Sequence, residues 1–403
     1  MSLKKNIMYL GVVQLFNYVV PLLQLPYLSR TLGVELFGIV TFSISMIQLI
    51  NIVTDYGFNL YMSQKIAGGD NSAEKIGGFI YATTIIKTLL LLLSITIFFV
   101  YILNSDKYKI YLSFMLITTI TIIMNAFIPL WLFQGIERLD IYSKIVVSSR
   151  LTFLAVIIFF VKSEADFNFI AILNALQSFS ILMFCIYYLY AKGYRAKPIS
   201  NSNVIKLVKD GFEFFISRVS VSLYTAGCSV YLGVFGEIKQ VAYYTAAEQL
   251  YKAGQQVFVP FTQALYPYMV RTKRYDVFWK VFFICFFIAT AGSVFGFIFG
   301  KEILGILFGS SYVSANIILN VFMVSIVLNT AAILIGYPAL IPLNGSRQAN
   351  LSVLYAGLLQ LCLFSLIYFL SNDINAELIA GTVLICELFV LCVRLYFYKK
   401  LKV

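Results

Sequence analysis

Histidine is absent from this 403-residue sequence. Its absence removes the commonest general base of enzymes and a usual nitrogen ligand of zinc. Charge is also scarce, because only 12% of the residues are charged, against roughly 25% in an ordinary soluble domain. With 61% hydrophobic residues, the chain carries more apolar surface than a soluble fold of this length can bury. The sequence therefore predicts an integral membrane protein.

The six cysteines form no CxxC pair, and each lies inside an apolar run. Without paired thiols or histidine, the sequence predicts no metal site and no cofactor. We expect these cysteines to be small, buried apolar side chains.

Apolar runs of about 20 residues, the length that a spanning helix needs, recur along the chain between short polar breaks. We expect twelve transmembrane helices, with a kink or tilt in the long tenth run, which contains Pro338. The basic N-terminus leads into a first run that has no A-x-A cleavage site, so we expect this run to be retained as a helix. The predicted runs are 7–29, 36–62, 78–103, 109–133, 141–161, 168–191, 211–233, 241–269, 277–299, 313–341, 348–370 and 376–398.

The formal net charge is +12, but the basic residues are scattered between apolar runs and form no RNA-binding signature. We therefore expect no nucleic-acid partner. Most of the 30 lysines and arginines fall in alternate loops, and this bias predicts cytoplasmic N- and C-termini. An even number of spans agrees with that orientation.

No loop is long enough to fold as a separate domain. The longest polar connection is basic and lies between the sixth and seventh runs. It divides the chain into an N-lobe of six helices (1–191), a cytoplasmic basic linker (192–210) and a C-lobe of six helices (211–403). A constant shift that brings Tyr27-Leu28 onto Tyr231-Leu232 also aligns polar positions of the two halves, and parallel repeats of this kind are a transporter architecture.

Side-chain amides and hydroxyls follow one face of the first, second and eighth predicted helices, at spacings of three and four residues. Such a stripe must face another helix or a water-filled cavity rather than lipid. Interhelical hydrogen bonds are one explanation, and a substrate cavity is the other. The amides that we assign to the candidate cavity are Gln14, Asn17, Gln24, Gln48, Asn51 and Gln255.

Several charged residues lie deep within the predicted helices. A cation at the bilayer centre costs at least about 2.5–3.5 kcal/mol, so four cations would cost on the order of 10 kcal/mol, comparable with the whole stability of a protein. They therefore either line a hydrated cavity or form structural ion pairs, as the i,i+4 spacing of Glu248 and Lys252 permits. The deep cations are Lys87, Arg150, Arg218 and Lys252.

Cations outnumber anions in these positions, so the predicted cavity is positive and favours an anionic passenger. Arginine suits phosphate, because its planar fork donates two hydrogen bonds at once. The deep carboxylates can carry protons, and we assign Asp55, Glu248 and Glu387 as candidates for ion coupling. Pro21 and Pro26 each remove a backbone donor from the first helix, and they predict either a hinge or a static kink there.

The stretch NYVVPLLQLPYLSRTLGVELFGIV (17–40) contains the pattern LP-x-L-x-R-x-LG-x-x-x-FG between Leu25 and Gly38. Together with DYGFNLYMSQKIA (55–67), it resembles the N-terminal signature of polysaccharide flippases of the O-antigen (Wzx) type. These flippases belong to the superfamily that includes the MATE multidrug exporters and the lipid II flippases. The resemblance implies an all-α polytopic membrane protein with about twelve transmembrane helices in two pseudo-symmetric six-helix lobes. Arg30, the cation of the motif, joins the residues that we assign to the cavity.

The resemblance also implies a task. Such proteins move an undecaprenyl-pyrophosphate-linked oligosaccharide from the cytoplasmic to the periplasmic leaflet of the bacterial inner membrane. Its implied partners are the lipid-linked substrate, membrane lipids, and the polysaccharide polymerase and chain-length machinery, and a monomer suffices. The alternatives are an ion-coupled small-molecule exporter of the same superfamily and a polytopic glycan polymerase or glycosyltransferase. A cation-drug exporter should have an acidic cavity. A glycan polymerase or glycosyltransferase should have a sizeable extramembrane loop.

Overall fold

The computed structural model describes residues 3–69, 72–371 and 373–402, and within these ranges the chain forms helices and connecting turns with no strand. A helix satisfies its own backbone N–H and C=O groups, as a lipid environment requires. The prediction of an all-α membrane protein is confirmed. The α-helices are α1 (Leu3–Asp55), α2 (Phe58–Ala67), α3 (Ala73–Asn104), α4 (Asp106–Lys109), α5 (Leu112–Ala126), α6 (Leu130–Gly135), α7 (Leu139–Phe160), α8 (Phe167–Ala191), α9 (Asn201–Leu223), α10 (Ala226–Phe235), α11 (Ile238–Thr272), α12 (Tyr275–Phe308), α13 (Asn316–Leu334), α14 (Ser346–Leu370) and α15 (Ala376–Lys402).

Within the described ranges, nine helical segments are long and apolar enough to cross a membrane. One of them, within α1, is divided by Gly33, whose φ of 68° and ψ of 179° are not helical. It therefore includes residues 15–29 of the first predicted run and 36–55 of the second. The long helices α9 and α11 are too polar to be counted by composition. The total of twelve spans stays a prediction.

The outward faces of the long helices carry bulky apolar side chains. Leu89, Leu92 and Ile97 of α3, and Phe287 and Ile298 of α12, are all exposed. In a soluble protein such surfaces would aggregate, whereas here they suit lipid. The same reasoning corrects the expectation for cysteine: four of the six are buried, but Cys362 on α14 and Cys392 on α15 are exposed, because lipid offers an environment as apolar as a protein core.

The chain forms two compact units. The first unit comprises 1–24 and 46–219, and the second unit comprises 25–45 and 220–403. The predicted lobes (1–191 and 211–403) and linker (192–210) stay predictions, but two details of the units are relevant to them. The middle of α1 belongs to the second unit, and residues 201–210 form the first turns of α9 within the first unit.

Each unit has its own apolar core. In the first unit Phe58 and Met62 of α2 pack with Trp131 and Phe133 of α6, and all four are at most 3% exposed. In the second unit Met269 of α11 and Phe278 of α12, both fully buried, belong to a core that also includes Leu334 and Ala339. These cores fix the helices that carry the polar side chains.

Several helices break within the depth predicted for the membrane. The run predicted over 36–62 is interrupted after Asp55, where Tyr56 (φ 50°) and Gly57 (φ 75°) have positive φ. The run over 211–233 is interrupted at Thr225. The kink expected near Pro338 is present as a π-helical turn with a non-helical residue at Gly336. Broken helices are the usual framework of transporter sites, because they expose backbone polar groups inside the protein.

Pro21 and Pro26, the predicted hinge, both lie inside α1. Neither is a residue with non-helical dihedral angles; Gly33 is the one such residue described within this helix. Pro26 is buried, and Pro21 is partly exposed. A hinge at these prolines stays a prediction.

Gly57 offers a test of the break after α1. Replacing it with alanine should destabilise the protein by about 2–3 kcal/mol, because the residue has positive φ and a Cβ would lie 2.7 Å from the Cβ of Phe214. Thermal unfolding of the purified protein in detergent measures the effect. Gly292→Ala on α12 is the matched control, since its Cβ would have no neighbour within 4 Å. Equal unfolding temperatures for the two variants would contradict this account.

Candidate functional site

The residues that the sequence assigned to the cavity or to ion coupling are distributed over both units. The side chain of Gln14 lies outside the described residues. The first unit holds Asn17, Gln24, Gln48, Asn51, Asp55, Lys87, Arg150 and Arg218. The second unit holds Arg30, Glu248, Lys252, Gln255 and Glu387.

Asp55 and Lys87 form an ion pair at the helix break of the first unit. The Lys87 Nζ lies 3.7 Å from an Asp55 carboxylate oxygen, and the two side chains are only 6% and 14% exposed. The same Nζ donates a 2.9 Å hydrogen bond to the carbonyl of Ala126, the last residue of α5, where helix carbonyls lack intrahelical partners. The other Asp55 oxygen accepts from the backbone N–H of Asn59 at 3.4 Å. Lys87 is thus a partnered cation.

Side-chain oxygens near this pair lack donors. The buried Oδ1 atoms of Asn51, Asp55 and Asn59 make no hydrogen bond, and neither does that of Asn17 on α1. A buried acceptor without a donor costs about 1–3 kcal/mol. Such atoms are rare in stable structures.

Arg150 and Arg218 differ from Lys87, because neither forms an ion pair or hydrogen bond with any described residue. Arg150 lies on α7 and is half-buried, and Arg218 lies on α9 and is exposed. Both belong to the first unit. Their guanidinium groups keep all their donors available, which suits an anion that accepts several hydrogen bonds. Gln24 and Gln48 also lie at accessible positions in this unit, half-buried and exposed respectively.

Arg30 lies against a helix end in the second unit. Its Nε donates a 3.0 Å hydrogen bond to the carbonyl of Leu307, and its Nη2 donates to the carbonyl of Ile306. The hydroxyl of the neighbouring Ser29 donates to Phe308 at 2.9 Å. These are the last carbonyls of α12, which lack intrahelical partners and attract positive charge. Arg30 therefore caps α12 in this arrangement.

The glycines of the same motif have structural explanations. Gly33 adopts φ and ψ values that are essentially restricted to glycine. At Gly38, a Cβ would lie 2.4 Å from the carbonyl oxygen of Ile238, so two backbone segments approach closely there. Phe37 packs edge-on against Tyr312, with ring centroids 5.7 Å apart. The motif thus packs the middle of α1 against other helices of the second unit.

A cavity of about 260 Å³ lies wholly within the second unit. On its α11 wall, Lys252 and Glu248 form a 2.8 Å ion pair, which is the pairing that their spacing permitted. On its α15 wall, Glu387 accepts a 2.9 Å hydrogen bond from Asn329 and a 3.3 Å bond from the hydroxyl of Tyr251. Glu387 is 6% exposed and has neutral hydrogen-bond donors. Among the described residues, no group of His, Cys, Asp or Glu is arranged to hold a metal ion.

Arg394 also lines this cavity, although it is not among the residues that the sequence assigned to the cavity. It is only 7% exposed. Its Nη1 donates to the carbonyl of Ala332 at 2.7 Å, and its Nε donates to the hydroxyl of Ser352 at 3.0 Å. The missed signal was spacing, because Glu387 and Arg394 are seven residues apart and so share a helix face.

Comparison with known sequences identifies the family. A sequence model of the family described as "Polysaccharide biosynthesis protein" matches residues 3–273. A protein of Escherichia coli K12 named "Putative O-antigen transporter" is 30% identical, covering 98% of this chain and 97% of that protein. A protein of Shigella dysenteriae with the same name is 28% identical, covering 82% of this chain and 85% of that protein.

Comparison with solved structures identifies the fold. A multidrug resistance MATE family transporter of the MOP superfamily, solved in an inward-facing conformation, superposes with a TM-score of 0.72 over 98% of each chain, at 15% identity. A MOP superfamily transporter from Pyrococcus furiosus superposes with a TM-score of 0.52 over 98% of this chain and 94% of that chain, at 12% identity. The MATE-like fold that the motif implied is confirmed. The chain therefore belongs to the polysaccharide biosynthesis protein family, and it is a multi-pass membrane transporter.

Proposed function

We propose that this protein is a flippase for a lipid-linked oligosaccharide. It moves an undecaprenyl-pyrophosphate-linked repeat unit of O-antigen or a similar surface polysaccharide from the cytoplasmic to the periplasmic leaflet by alternating access. The observation that carries the proposal is the pair of unpartnered arginines, Arg150 and Arg218, in a transporter of the polysaccharide biosynthesis family. A pyrophosphate offers the several acceptor oxygens that two free guanidinium groups require.

The charged residues of the first unit support a role for this unit in binding the anionic group. Lys87 is already paired with Asp55 and Lys252 with Glu248, so these cations are offset by carboxylates. Arg150 and Arg218 are not offset by any described residue. We therefore assign the pyrophosphate to the two arginines. Further polar positions of the proposed cavity in the same unit are Asn17, Gln24, Gln48 and Asn51.

Ion coupling fits Asp55 best among the three candidate carboxylates. A proton on Asp55 would cancel its charge and release Lys87, which would then be available to an anionic substrate. The donorless oxygens of Asn51 and Asn59 would accept a hydrogen bond from that proton or from a hydronium ion. Glu248 and Glu387 stay predicted alternatives in the second unit.

Two other functions remain to be weighed. An ion-coupled exporter of small molecules would share the fold, but a cationic drug would be repelled by Arg150 and Arg218, which pair with no described carboxylate. A glycan polymerase or glycosyltransferase would need catalytic groups outside the membrane, and the curated relatives are named as transporters. The flippase is the function that accounts for both the family and the free arginines.

The proposal includes a place and partners. We expect the protein in the bacterial inner membrane with both termini cytoplasmic, working as a monomer. Its product would be consumed by the polysaccharide polymerase and chain-length machinery.

Deleting the gene in its native host tests the function. Surface polysaccharide should be lost, while lipid-linked repeat units accumulate and stay protected from a membrane-impermeant reagent added to spheroplasts. A plasmid copy should restore export. Normal surface polysaccharide in a deletion strain that has no second flippase would contradict the proposal.

A further inference from the structure

The cavity of the second unit has a balanced charge. Its lining includes two carboxylates, Glu248 and Glu387, and two cations, Lys252 and Arg394. Lys252 is neutralised by Glu248, and Arg394 donates to a carbonyl and a hydroxyl of its own unit. A free anion or cation would therefore gain little from this cavity. An uncharged ligand is the better match.

The polar groups of the cavity suit hydroxyls. The side-chain amide of Gln255 makes no hydrogen bond with any described residue, so its donor and acceptor are both available. The buried Oδ1 of Asn329 has no donor, although its Nδ2 is held by Glu387 at 2.9 Å. A hydroxyl both donates and accepts. A ligand with several hydroxyl groups on one rigid ring would satisfy these amides together.

The remaining walls are aromatic and aliphatic. Tyr224, Tyr251 and Phe322 line the cavity, and Tyr251 is stacked on Phe322 with ring centroids 4.9 Å apart. Tyr224 packs beside Ala332 and Val390 and is stacked on no other described ring. Specific small-molecule sites combine apolar and aromatic walls with a few well-placed polar groups. A pyranose matches this pattern, because its C–H face is apolar and its edge carries hydroxyls.

The size of the cavity limits the ligand. Its volume of about 260 Å³ lies below the roughly 300–1,000 Å³ of sites for drug-sized ligands. It suits one sugar ring rather than a whole repeat unit.

We propose that this cavity is a monosaccharide subsite, in which Gln255 and Asn329 hydrogen bond to the hydroxyls of one uncharged pyranose and Tyr224 packs against its face. The inference rests on the proposed function, since the sugar would belong to the transported glycan. The stereochemistry of that ring would then contribute to substrate selection.

The test uses the purified full-length protein in nanodiscs and a panel of methyl glycosides of hexoses, deoxyhexoses and N-acetylhexosamines. Saturation-transfer NMR reports which glycoside contacts the protein, with empty nanodiscs as the blank. Each D-glycoside is compared with its L-enantiomer at equal concentration, because both enantiomers act equally as osmolytes. We expect saturable binding of at least one glycoside and discrimination between its enantiomers.

Variants locate the binding. Gln255→Ala and Asn329→Ala should each weaken glycoside binding about tenfold, because each removes a buried hydrogen bond and leaves a hydroxyl of the sugar unpaired. Gln256→Ala is the matched control, since this glutamine neighbours Gln255 but does not line the cavity. It should bind as the wild type does.

Three results would overturn the subsite: no glycoside of the panel binds, both enantiomers bind equally, or Gln255→Ala and Asn329→Ala bind as tightly as Gln256→Ala. Saturable binding of sodium alone, lost in Glu387→Gln, would identify a cation site instead. The gene deletion separates this inference from the proposed function. Blocked export without glycoside binding rejects the subsite alone, and normal export with glycoside binding rejects the flippase alone.

Discussion

Glutamine in place of both Arg150 and Arg218 is expected to abolish export of the glycan while the protein remains folded in the membrane. A charge-assisted hydrogen bond contributes about 1.5–3 kcal/mol, so each arginine accounts for about a ten- to hundredfold change in affinity. Because neither side chain has a partner among the described residues, its removal leaves no counter-charge unpaired. The loss should therefore fall on transport rather than on stability.

Complementation of the deletion strain measures this effect, with surface polysaccharide as the readout and immunoblotting for protein level. Lys144→Gln and Lys209→Gln are the matched controls, because they remove exposed cations from the same helices, α7 and α9. Arg150→Lys adds a finer test, since lysine keeps the charge but loses the planar fork. Normal export by the double variant at wild-type protein level would show that the two arginines do not bind substrate.

The second large effect concerns the buried pair of Asp55 and Lys87. Removing one partner, as in Lys87→Gln or Asp55→Asn, should destabilise the protein by about 3–5 kcal/mol, because it leaves an uncompensated charge in an apolar interior. The double variant should recover most of that loss, since neither charge then remains. It should nevertheless transport without responding to a proton gradient, because the group proposed to take the proton is gone.

Two measurements separate these outcomes. Thermal unfolding of the two single variants and the double variant forms a double-mutant cycle, and the pair is coupled if the effects are not additive. Translocation in proteoliposomes, with and without an imposed pH gradient, then tests whether transport is coupled to protons. Additive destabilisation would mean that the 3.7 Å contact contributes little. If the double variant still responds to the pH gradient, another carboxylate is the coupling site.

The motif around Arg30 illustrates how a sequence pattern and a structural role can be related. The pattern identified the family, and the comparisons bear this out. Its physical basis was visible only in the folded chain, where Arg30 caps α12 and Gly38 allows close contact with Ile238. Nothing in the sequence alone indicates that these residues meet others 200 or more positions away. Whether Arg30 also contacts substrate stays a prediction.

Hydropathy by itself determined that this chain is an all-α membrane protein, because a lipid environment leaves apolar segments of this length no alternative to the helix. The 17–40 motif added the family. Local spacing also permitted the ion pair of Glu248 and Lys252, since residues four apart on a helix are neighbours.

Only the tertiary structure decided which intramembrane charges are partnered. Lys87 meets Asp55 and the end of α5, and Arg394 is buried against α13 and α14, whereas Arg150 and Arg218 meet no described partner. Helix breaks at Tyr56 and Thr225 were also hidden, because the apolar runs continue across them. Pairing and breaks depend on which helices are neighbours, and periodicity within one helix carries no information about the helix packed beside it.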